Sequence, residues 1–333
     1  MKYSCRVSGY LSLKGWTLVE LLIAMALSLL IIAGVGQIYL AAKRSYDIQN
    51  SIAKIQDVGR YTTEVLTEDI RRAGYWGLLN INKAASLPGS VTPDNSCVAG
   101  NTNWGSMAQE RIFGLDDLSN VNPPPGSYSC INSSWFQGDV LAIRYGDPST
   151  TTPYTNNGLY IRTTSFTGSI ALGPAGGPPP TPPPSFDYAL VARVYYVRNN
   201  AVTAHCGSTS IAVPELTRKE LGSNGFPSNA QGLVTGVEWL EFQYGVDTNN
   251  DGSVNRYLDA DNVDAWNSGG TLGQNWDAVR SVRFWVLVRN DCPDATYTDT
   301  NTYNMGNNSF TPSVEESHFR RSLYTSTVSI RSR

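Results

Sequence analysis

The chain has 333 residues, with 25 basic and 28 acidic side chains and a net charge of −3, so it lacks the basic field that holds nucleic-acid phosphates. Its two histidines, His205 and His318, lie in no recognisable nucleophile or zinc motif, which argues against a hydrolase of either kind. Neither a nucleic-acid partner nor an enzymatic activity is expected.

The first predicted element is an apolar helix. Residues 21–42 carry no charged side chain, and about 20 such residues, rising about 1.5 Å each, cross a roughly 30 Å hydrocarbon core. A secretory signal has a shorter core of about 7–15 residues and a small-residue cleavage site, which this run does not match. Lys2, Arg6 and Lys14 precede the run and favour a cytoplasmic N-terminus. The sequence predicts a single-pass membrane helix.

Glu20 lies within the first turns of this helix. A carboxylate costs about 2.5–3.5 kcal/mol at the membrane centre on insertion scales and less near its edge, so such groups are usually paired. If the chain is cut between Gly15 and Trp16, Glu20 becomes the fifth residue. The carboxylate of a neighbouring copy could then pair with the new amine of Trp16 and fix the register between subunits. The alternative is a carboxylate at the interface of a plain anchor.

The stretch KGWTLVELLIAMALSLLIIAGVG, residues 14–36, resembles the prepilin signature of type IV pilins and type II secretion pseudopilins. The resemblance implies that a prepilin peptidase cuts after Gly15, that the amine of Trp16 is methylated, and that Glu20 serves subunit assembly. Trp16 departs from the phenylalanine usual at that position.

A second amphipathic stretch follows, and it predicts that the helix continues beyond the membrane with one apolar face, ending near Gly74 or Gly77. The apolar positions at helical spacing are Ile52, Ile55, Val58, Val65, Leu66, Ile70 and Ala73. The segment LTEDIRRAGYWG, residues 66–77, resembles the end of this helix in the PilW family of minor pilins. A type II secretion minor pseudopilin of the J type is the nearest alternative.

The rest of the chain is rich in Gly, Pro, Asn, Ser, Thr and Tyr and predicts a β-rich head. Strands are expected in residues 139–147, 240–246, 278–291 and 323–333, with a hairpin around Asn199-Asn200. The proline-rich segments 123–126 and 173–185 are expected to be loops. The predicted fold class is α+β and type IV pilin-like, with a long N-terminal helix packed on a mainly antiparallel head. The expected domains are a cleaved leader 1–15, an assembly helix 16–77 and a head 78–333.

Four cysteines remain once Cys5 is lost with the leader, and their position outside the cytoplasm favours two disulfides. Pairing neighbours in sequence gives Cys97–Cys130 and Cys206–Cys292 as the simplest of three arrangements. The absence of a CxxC pair argues against zinc.

The first positions of the segment DTNNDGSVNRYLDADNVD, residues 247–264, match the residue pattern of the calcium loop in EF-hand-like sites. Leucine stands where such loops carry a bidentate glutamate, so another aspartate would have to close the shell. The alternative is an Asx-rich hairpin loop without metal. The candidate Ca²⁺ ligands are Asp247, Asn249, Asp251, Ser253, Asn255, Asp259 and Asp261.

The resemblance implies a minor pilin that primes assembly of a type IV pilus and supports adhesion and twitching motility. A head this large would crowd a repeated shaft, which favours the pilus tip. The implied partners are other minor pilins, the major pilin, a tip adhesin and the prepilin peptidase. The implied location is the inner membrane with the head in the periplasm, then the pilus tip at the cell surface. The alternatives are the J-type pseudopilin and a membrane-anchored, calcium-dependent adhesin.

Overall fold

A computed structural model gives the structure of the chain. It describes residues 15–77, 111–116, 131, 135–150, 158–164, 168–173, 186–221, 229–265 and 276–330. The chain divides into two compact units, Met1–Ser51 and Ile52–Arg333, and each is considered by itself below. The predictions for Cys97, Cys130 and the proline-rich segment 123–126 lie outside the described residues, as do those for the leader up to residue 14 and for the proline-rich segment 173–185 from residue 174 onwards.

The first helix, α1, spans Leu18–Arg72 and confirms the predicted continuous helix. Its portion in the first unit exposes nearly all of its apolar side chains, of which Leu30 and Ile38 are typical, while Ile48 is half-buried. In the part of the chain that the structure describes, α1 is the one helix long and apolar enough to cross a bilayer. An apolar surface of this extent needs a hydrophobic partner, which a membrane or neighbouring helices supply.

In the second unit, the C-terminal part of α1 has one buried apolar face, as predicted. Ile55, Val58, Leu66 and Ile70 on this face are all buried. The helix ends at Arg72 and is followed by Gly74 and Gly77, whose positive φ angles of 75° and 69° suit glycine. The helix therefore ends near Gly74, the first of the two predicted end residues, and Gly77 lies beyond its end.

The head is built from antiparallel strands, which confirms the predicted α+β class. The strands are β1 Ile112–Leu115, β2 Val140–Thr150, β3 Leu159–Thr163, β4 Gly168–Leu172, β5 Phe186–Cys206, β6 Thr209–Glu220, β7 Gln231–Thr235, β8 Val237–Val246, β9 Arg256–Leu258, β10 Val279–Arg289, β11 Tyr303–Met305, β12 Asn308–Phe310 and β13 Arg321–Ser329. A short helix, α2, spans Ala260–Ala265. The strands predicted in 139–147, 240–246, 278–291 and 323–333 are all present.

The described strands form three sheets. The first has the order β1-β2-β5-β3-β4, with β6 pairing β5 and β7 pairing β6. The second has the order β13-β10-β8-β9, and β11 pairs β12 in a separate hairpin. Inward residues of both large sheets share one hydrophobic core with the buried face of α1 in the second unit.

The long strand β5 corrects one prediction, because the hairpin expected at Asn199-Asn200 is wrong. β5 runs through both asparagines, where its pairing with β6 shifts register between Arg198 and Val202. The turn falls instead at Gly207, which has a φ of 68°. The asparagine pair therefore marks a bulge in a continuing strand.

Strand β8 shows the predicted alternation, but its polar face is buried as well. Leu240, Phe242 and Tyr244 face the core, while Glu241 and Gln243 on the other face are only 2% and 6% exposed. The β11–β12 hairpin contacts this polar face, since the Asn308 side-chain amide donates a hydrogen bond to Glu241. Alternation in sequence thus identifies the strand without revealing what covers its second face.

Candidate functional site

The start of α1 holds the predicted processing and assembly residues Gly15, Trp16 and Glu20. The helix begins at Leu18, so the Gly15–Trp16 peptide bond precedes it. Gly15 and Trp16 are both exposed, with 78% of Trp16 accessible. A peptide bond that is exposed and outside a helix is open to a peptidase.

Glu20 is bonded to the N-cap of its own helix. The Glu20 N–H donates to Thr17 Oγ1 at 3.2 Å, and the Thr17 N–H donates to Glu20 Oε2 at 2.9 Å. The Thr17 hydroxyl donates to the same carboxylate oxygen at 3.0 Å. This reciprocal pair is a capping box, which satisfies two backbone donors at a helix N-terminus. Residue-by-residue reasoning missed it, although the Thr-x-x-Glu spacing at 17–20 signals it.

The second oxygen of Glu20, Oε1, accepts no hydrogen bond from the described residues. The capping box fixes the carboxylate at the start of the helix through Oε2 alone. Glu20 therefore has two separable properties, a local capping contact and a charged oxygen that is open to a group from outside the chain.

A buried polar cluster joins the end of α1 to the first sheet, and we call Asp69, Tyr145, Arg193 and Tyr195 the helix–head cluster. Arg193 Nη1 donates to both carboxylate oxygens of Asp69, at 2.8 and 2.9 Å. Tyr145 donates to Oδ1 at 3.1 Å, and Tyr195 donates to Oδ2. The Asp69 side chain is only 4% exposed, so its charge depends on these donors.

The electrostatics of the helix–head cluster favour a protonated Arg193 and neutral tyrosines. Burial, followed by the charge of Asp69, raises the pKa of Tyr145 to about 12 and that of Tyr195 further. Burial, the largest single influence, lowers the pKa of Arg193, but the charge and hydrogen bonds of Asp69 together with the two tyrosines more than offset it and leave that pKa above its ordinary value. The two tyrosines and Arg193 therefore keep their protons across the physiological range.

Close packing reinforces this junction at a second point. A side chain at Gly59 would place its Cβ 2.2 Å from the ring of Tyr324 on β13. The Tyr324 hydroxyl donates to the backbone oxygen of Ile55 at 3.3 Å. A glycine at position 59 is thus needed for the approach between helix and strand, not for its backbone freedom.

A buried carboxylate under the β11–β12 hairpin has a different character. Burial raises the pKa of Glu241 to about 7, although hydrogen bonds from Trp239 and Asn308 lower it. Asp116 accepts from the Ala260 N–H at 2.8 Å at the start of α2, and burial raises its pKa to about 6. These two carboxylates gain protons near neutral pH.

The candidate calcium loop is closed by its own side chains. Asp247 Oδ2 accepts from the Gly252 N–H at 2.9 Å and from Arg280 Nε at 3.3 Å. Asp251 Oδ1 accepts from the Ser253 N–H at 2.8 Å, and Asn255 Oδ1 accepts from the Thr248 N–H at 2.7 Å. Asn249 donates to Asp251 Oδ2 at 2.9 Å. The structure thus brings together the first five candidate ligands in an Asx-capped turn.

The two remaining candidate ligands contact other parts of the molecule. Asp259 accepts from Gln243 at 3.1 Å and from Asn307 at 2.6 Å, and the Asp261 N–H donates to Asp116 at 3.0 Å. Among the residues with described positions, no group of three or more His, Cys, Asp or Glu side chains is arranged to hold a metal ion. Any metal in this loop would rely on Asp247, Asp251 and neutral oxygens.

The predicted Cys206–Cys292 disulfide is confirmed. The two Cα atoms are 5.4 Å apart, and the sequence separation is 86 residues. Cys206 ends β5 in the first sheet, and Cys292 follows β10 in the second. The bond therefore links the two large sheets covalently.

The fold and these sites define a pilin-like subunit, with an exposed apolar helix at its N-terminus and a β-rich head on the rest of that helix. Residues 194–332 match the family model described as Type IV Pilus-assembly protein W, PilW. The chain is also 40% identical over 79 residues to the "Pilin-like protein PilA3" of Thermus thermophilus, covering 22% of this chain and 33% of that protein. No solved structure gives a significant match.

Both matches are to pilin-related proteins, and they support a type IV pilin-family assignment over the parts of the chain that they cover. The chain spans about a third of the length of the curated relative that it matches. The matches point to a structural pilus protein, and the long apolar part of α1 points to membrane anchoring.

Proposed function

We propose that this chain is a minor pilin that primes assembly of a type IV pilus and lies at the pilus tip. The observation that carries the proposal is the division of α1. Its first part exposes apolar side chains, whereas Ile52–Arg72 belongs to the folded second unit. The first part is suited to a membrane before assembly and to neighbouring pilin helices afterwards.

Glu20 supplies the contact that sets the register in this proposal. Cleavage between Gly15 and Trp16 creates an amine beside the capping box. Glu20 Oε2 is held by Thr17, so Oε1 is the oxygen that can accept from the amine of a neighbouring subunit. In an apolar layer this charge-assisted hydrogen bond is strong, because water does not compete for either group.

The experiment begins with the N-terminus of the full chain, expressed with a prepilin peptidase. Mass spectrometry should find a chain that starts at N-methylated Trp16. A chain that still begins at Met1 would overturn the proposal.

Two substitutions then separate charge from capping. Glu20→Gln keeps an oxygen for the Thr17 N–H but removes the charge, and Thr17→Ala weakens the cap but keeps the charge. We expect Glu20→Gln to abolish incorporation into pili, and Thr17→Ala to reduce it less. If Glu20→Gln assembles normally while Thr17→Ala does not, Glu20 acts only as a capping residue.

The tip position rests on the size of the head. A subunit repeated along a shaft uses one heterologous contact many times, and a second unit reaching from Ile52 to Arg333 would crowd that contact. Roles in adhesion and twitching motility follow from this position. Immunogold labelling should be confined to pilus ends, and labelling along the shaft would contradict the tip position.

Two other functions remain as alternatives. A J-type pseudopilin of type II secretion would carry the same helix, and deleting the gene would then stop protein secretion while leaving pili intact. A membrane-anchored adhesin would keep its ligand binding when Glu20 is replaced by alanine. The PilW match favours the pilus among these functions.

Calcium binding stays a prediction for the loop of Asp247, Asn249, Asp251, Ser253 and Asn255. Their oxygens are close together, but Arg280 pairs with Asp247 and would compete with a cation. Calcium should therefore raise the melting temperature of the full chain in detergent, and Asp251→Asn should abolish that rise. Equal melting in calcium and in chelator would establish the loop as a metal-free turn.

A further inference from the structure

Strand β13 is an open edge of the second sheet. It pairs with β10 along its whole length from Arg321 to Ser329, and in the described part of the chain no strand pairs with its other side. The opposite edge of the same sheet, β9, has only three residues. β13 therefore presents the long edge of this sheet.

The register identifies which backbone groups are free. The Ile330 N–H donates to the Arg280 oxygen at 2.8 Å, so residue 330 forms a hydrogen-bonded pair with β10. In an antiparallel ladder such pairs alternate, and the residues between them direct their N–H and C=O groups to the other side. Within residues 322–329, four residues have such groups without a partner in the described structure. They are Leu323, Thr325, Thr327 and Ser329.

The usual protection of an edge strand is missing from β13. Natural edges are protected by proline, lysine, bulges or short length. Residues 322–329 read SLYTSTVS, with no proline and no charge. The pairing of β13 with β10 has no register shift, whereas the pairing of β10 with β8 has two. A regular edge with an uncharged run of eight residues is a template for a further strand.

A groove lies along this edge, entirely within the second unit. Its volume is about 1250 Å³, which exceeds the roughly 300–1,000 Å³ of a small-molecule pocket. β13 forms one wall, and the exposed face of α1 forms the other with Arg60, Glu64 and Arg71. Arg72 on the same wall is paired with Glu68, while Arg71 has no ion-pair partner among the described residues.

We propose that β13 accepts one extended segment of a different pilin-like subunit, which adds a strand to the second sheet along this groove. The inference rests on the proposed function, because the partner belongs to the same assembly. Backbone hydrogen bonds to the four free residues supply the affinity. A carboxylate on the incoming segment pairs with Arg71, the unpaired cation of the groove wall.

A second copy of the chain fits this edge less well. In each copy, α1 lies beside β13, because Gly59 of α1 lies against Tyr324 of β13. Two β13 strands that pair edge to edge would therefore also bring the α1 helix of each copy into the groove of the other. A single extended segment brings no such helix. The geometry therefore favours a heterologous strand over a symmetric dimer.

The test uses the full chain in the cells that make it, with p-benzoylphenylalanine at position 325 and, as a matched control, at the exposed position 57 on α1. Irradiation should cross-link position 325, but not 57, to one continuous segment of another pilin-like subunit, identified by peptide mass spectrometry. An adduct of two copies of this chain would overturn the heterologous partner.

Two further readouts keep the inference separate from the proposed function. A correctly processed chain in normal pili without an adduct overturns the strand pairing and leaves the pilin function standing. An unprocessed chain that still gives the adduct overturns the pilin function and leaves the strand pairing standing.

Proline substitution tests the backbone contact itself. Thr327→Pro removes a free N–H without removing a bond to β10 and should lower the adduct yield about tenfold, whereas Thr327→Ala should leave it unchanged. If Thr327→Pro fails to fold, hydrogen exchange of the wild-type chain decides the question. The amides of the four free residues should be protected in pili and exchange rapidly in the isolated chain. Equal exchange in both states would overturn the inference.

Discussion

Replacing Asp69 with asparagine removes a buried charge from the helix–head cluster while keeping the shape of the side chain. Asp69 is 4% exposed and accepts hydrogen bonds from Arg193, Tyr145 and Tyr195. Breaking a buried ion pair by removing one partner costs about 3–5 kcal/mol, because the other charge is left without compensation. Arg193 is 21% exposed and keeps a second partner, Glu220, at 3.2 Å. The cost should therefore lie near the lower limit, at about 3 kcal/mol.

Thermal and urea unfolding of the full chain in detergent, followed by tryptophan fluorescence, measures this cost. A unit of this size shifts its melting temperature by roughly 2–4 °C per kcal/mol, so a decrease of about 6–12 °C is expected. The matched control is Asp57→Asn on the same helix. Asp57 is 79% exposed and its contact with Arg60 is 4.0 Å long, so its replacement should cost less than about 0.5 kcal/mol.

A double-mutant cycle gives the decisive result. Arg193→Met alone should also be destabilising, but adding it to Asp69→Asn should cost little more, because the pair is already broken. Additive effects, or a change below about 1 kcal/mol for Asp69→Asn, would refute the idea that this cluster fixes the helix to the head.

Three further predictions concern stability. Replacing both Cys206 and Cys292 with serine should cost about 4 kcal/mol in urea unfolding, because the bond closes a loop with a separation of 86 residues, and no loss would refute the entropic argument. Gly59→Ala should cost about 1–3 kcal/mol, since its Cβ meets Tyr324 at 2.2 Å, and a neutral result would show that the ring moves freely. Burial raises the pKa of Glu241 to about 7 in the folded chain. Between the pKa of this group in the unfolded chain and about pH 7, the folded chain therefore binds one proton more than the unfolded chain. The free energy of unfolding should fall as pH rises from about 5 to 8, and Glu241→Gln should flatten that slope.

The elements most accessible from sequence are those whose pattern is local. The apolar run, the alternation of β8 and the glycines after α1 each depend on nearby residues, and the structure contains the predicted elements at those positions. The capping box is equally local, since Thr17 and Glu20 are three residues apart.

The contacts that sequence reasoning missed depend on residues far apart in the chain. Asp69 and Arg193 are separated by 124 residues, and no spacing rule connects them. The buried state of Glu241 likewise depends on Asn308, which a later hairpin brings onto a strand face that the alternation marks as polar. The misplaced hairpin has a different cause, because an Asn-Asn pair favours a turn and a bulge alike, and only pairing with β6 distinguishes them.

The Cys206–Cys292 bond also determines how the head can respond to a pulling force. The strands from β6 to β10 lie in the covalent loop that it closes, so tension along the chain bypasses them. At about 3.4 Å per extended residue, a separation of 86 residues hides roughly 290 Å of contour length. When the disulfide is intact, a pulling force can therefore extend only the parts of the head that lie outside this loop. When the disulfide is reduced, the same force can extend the head by a further length of roughly 290 Å.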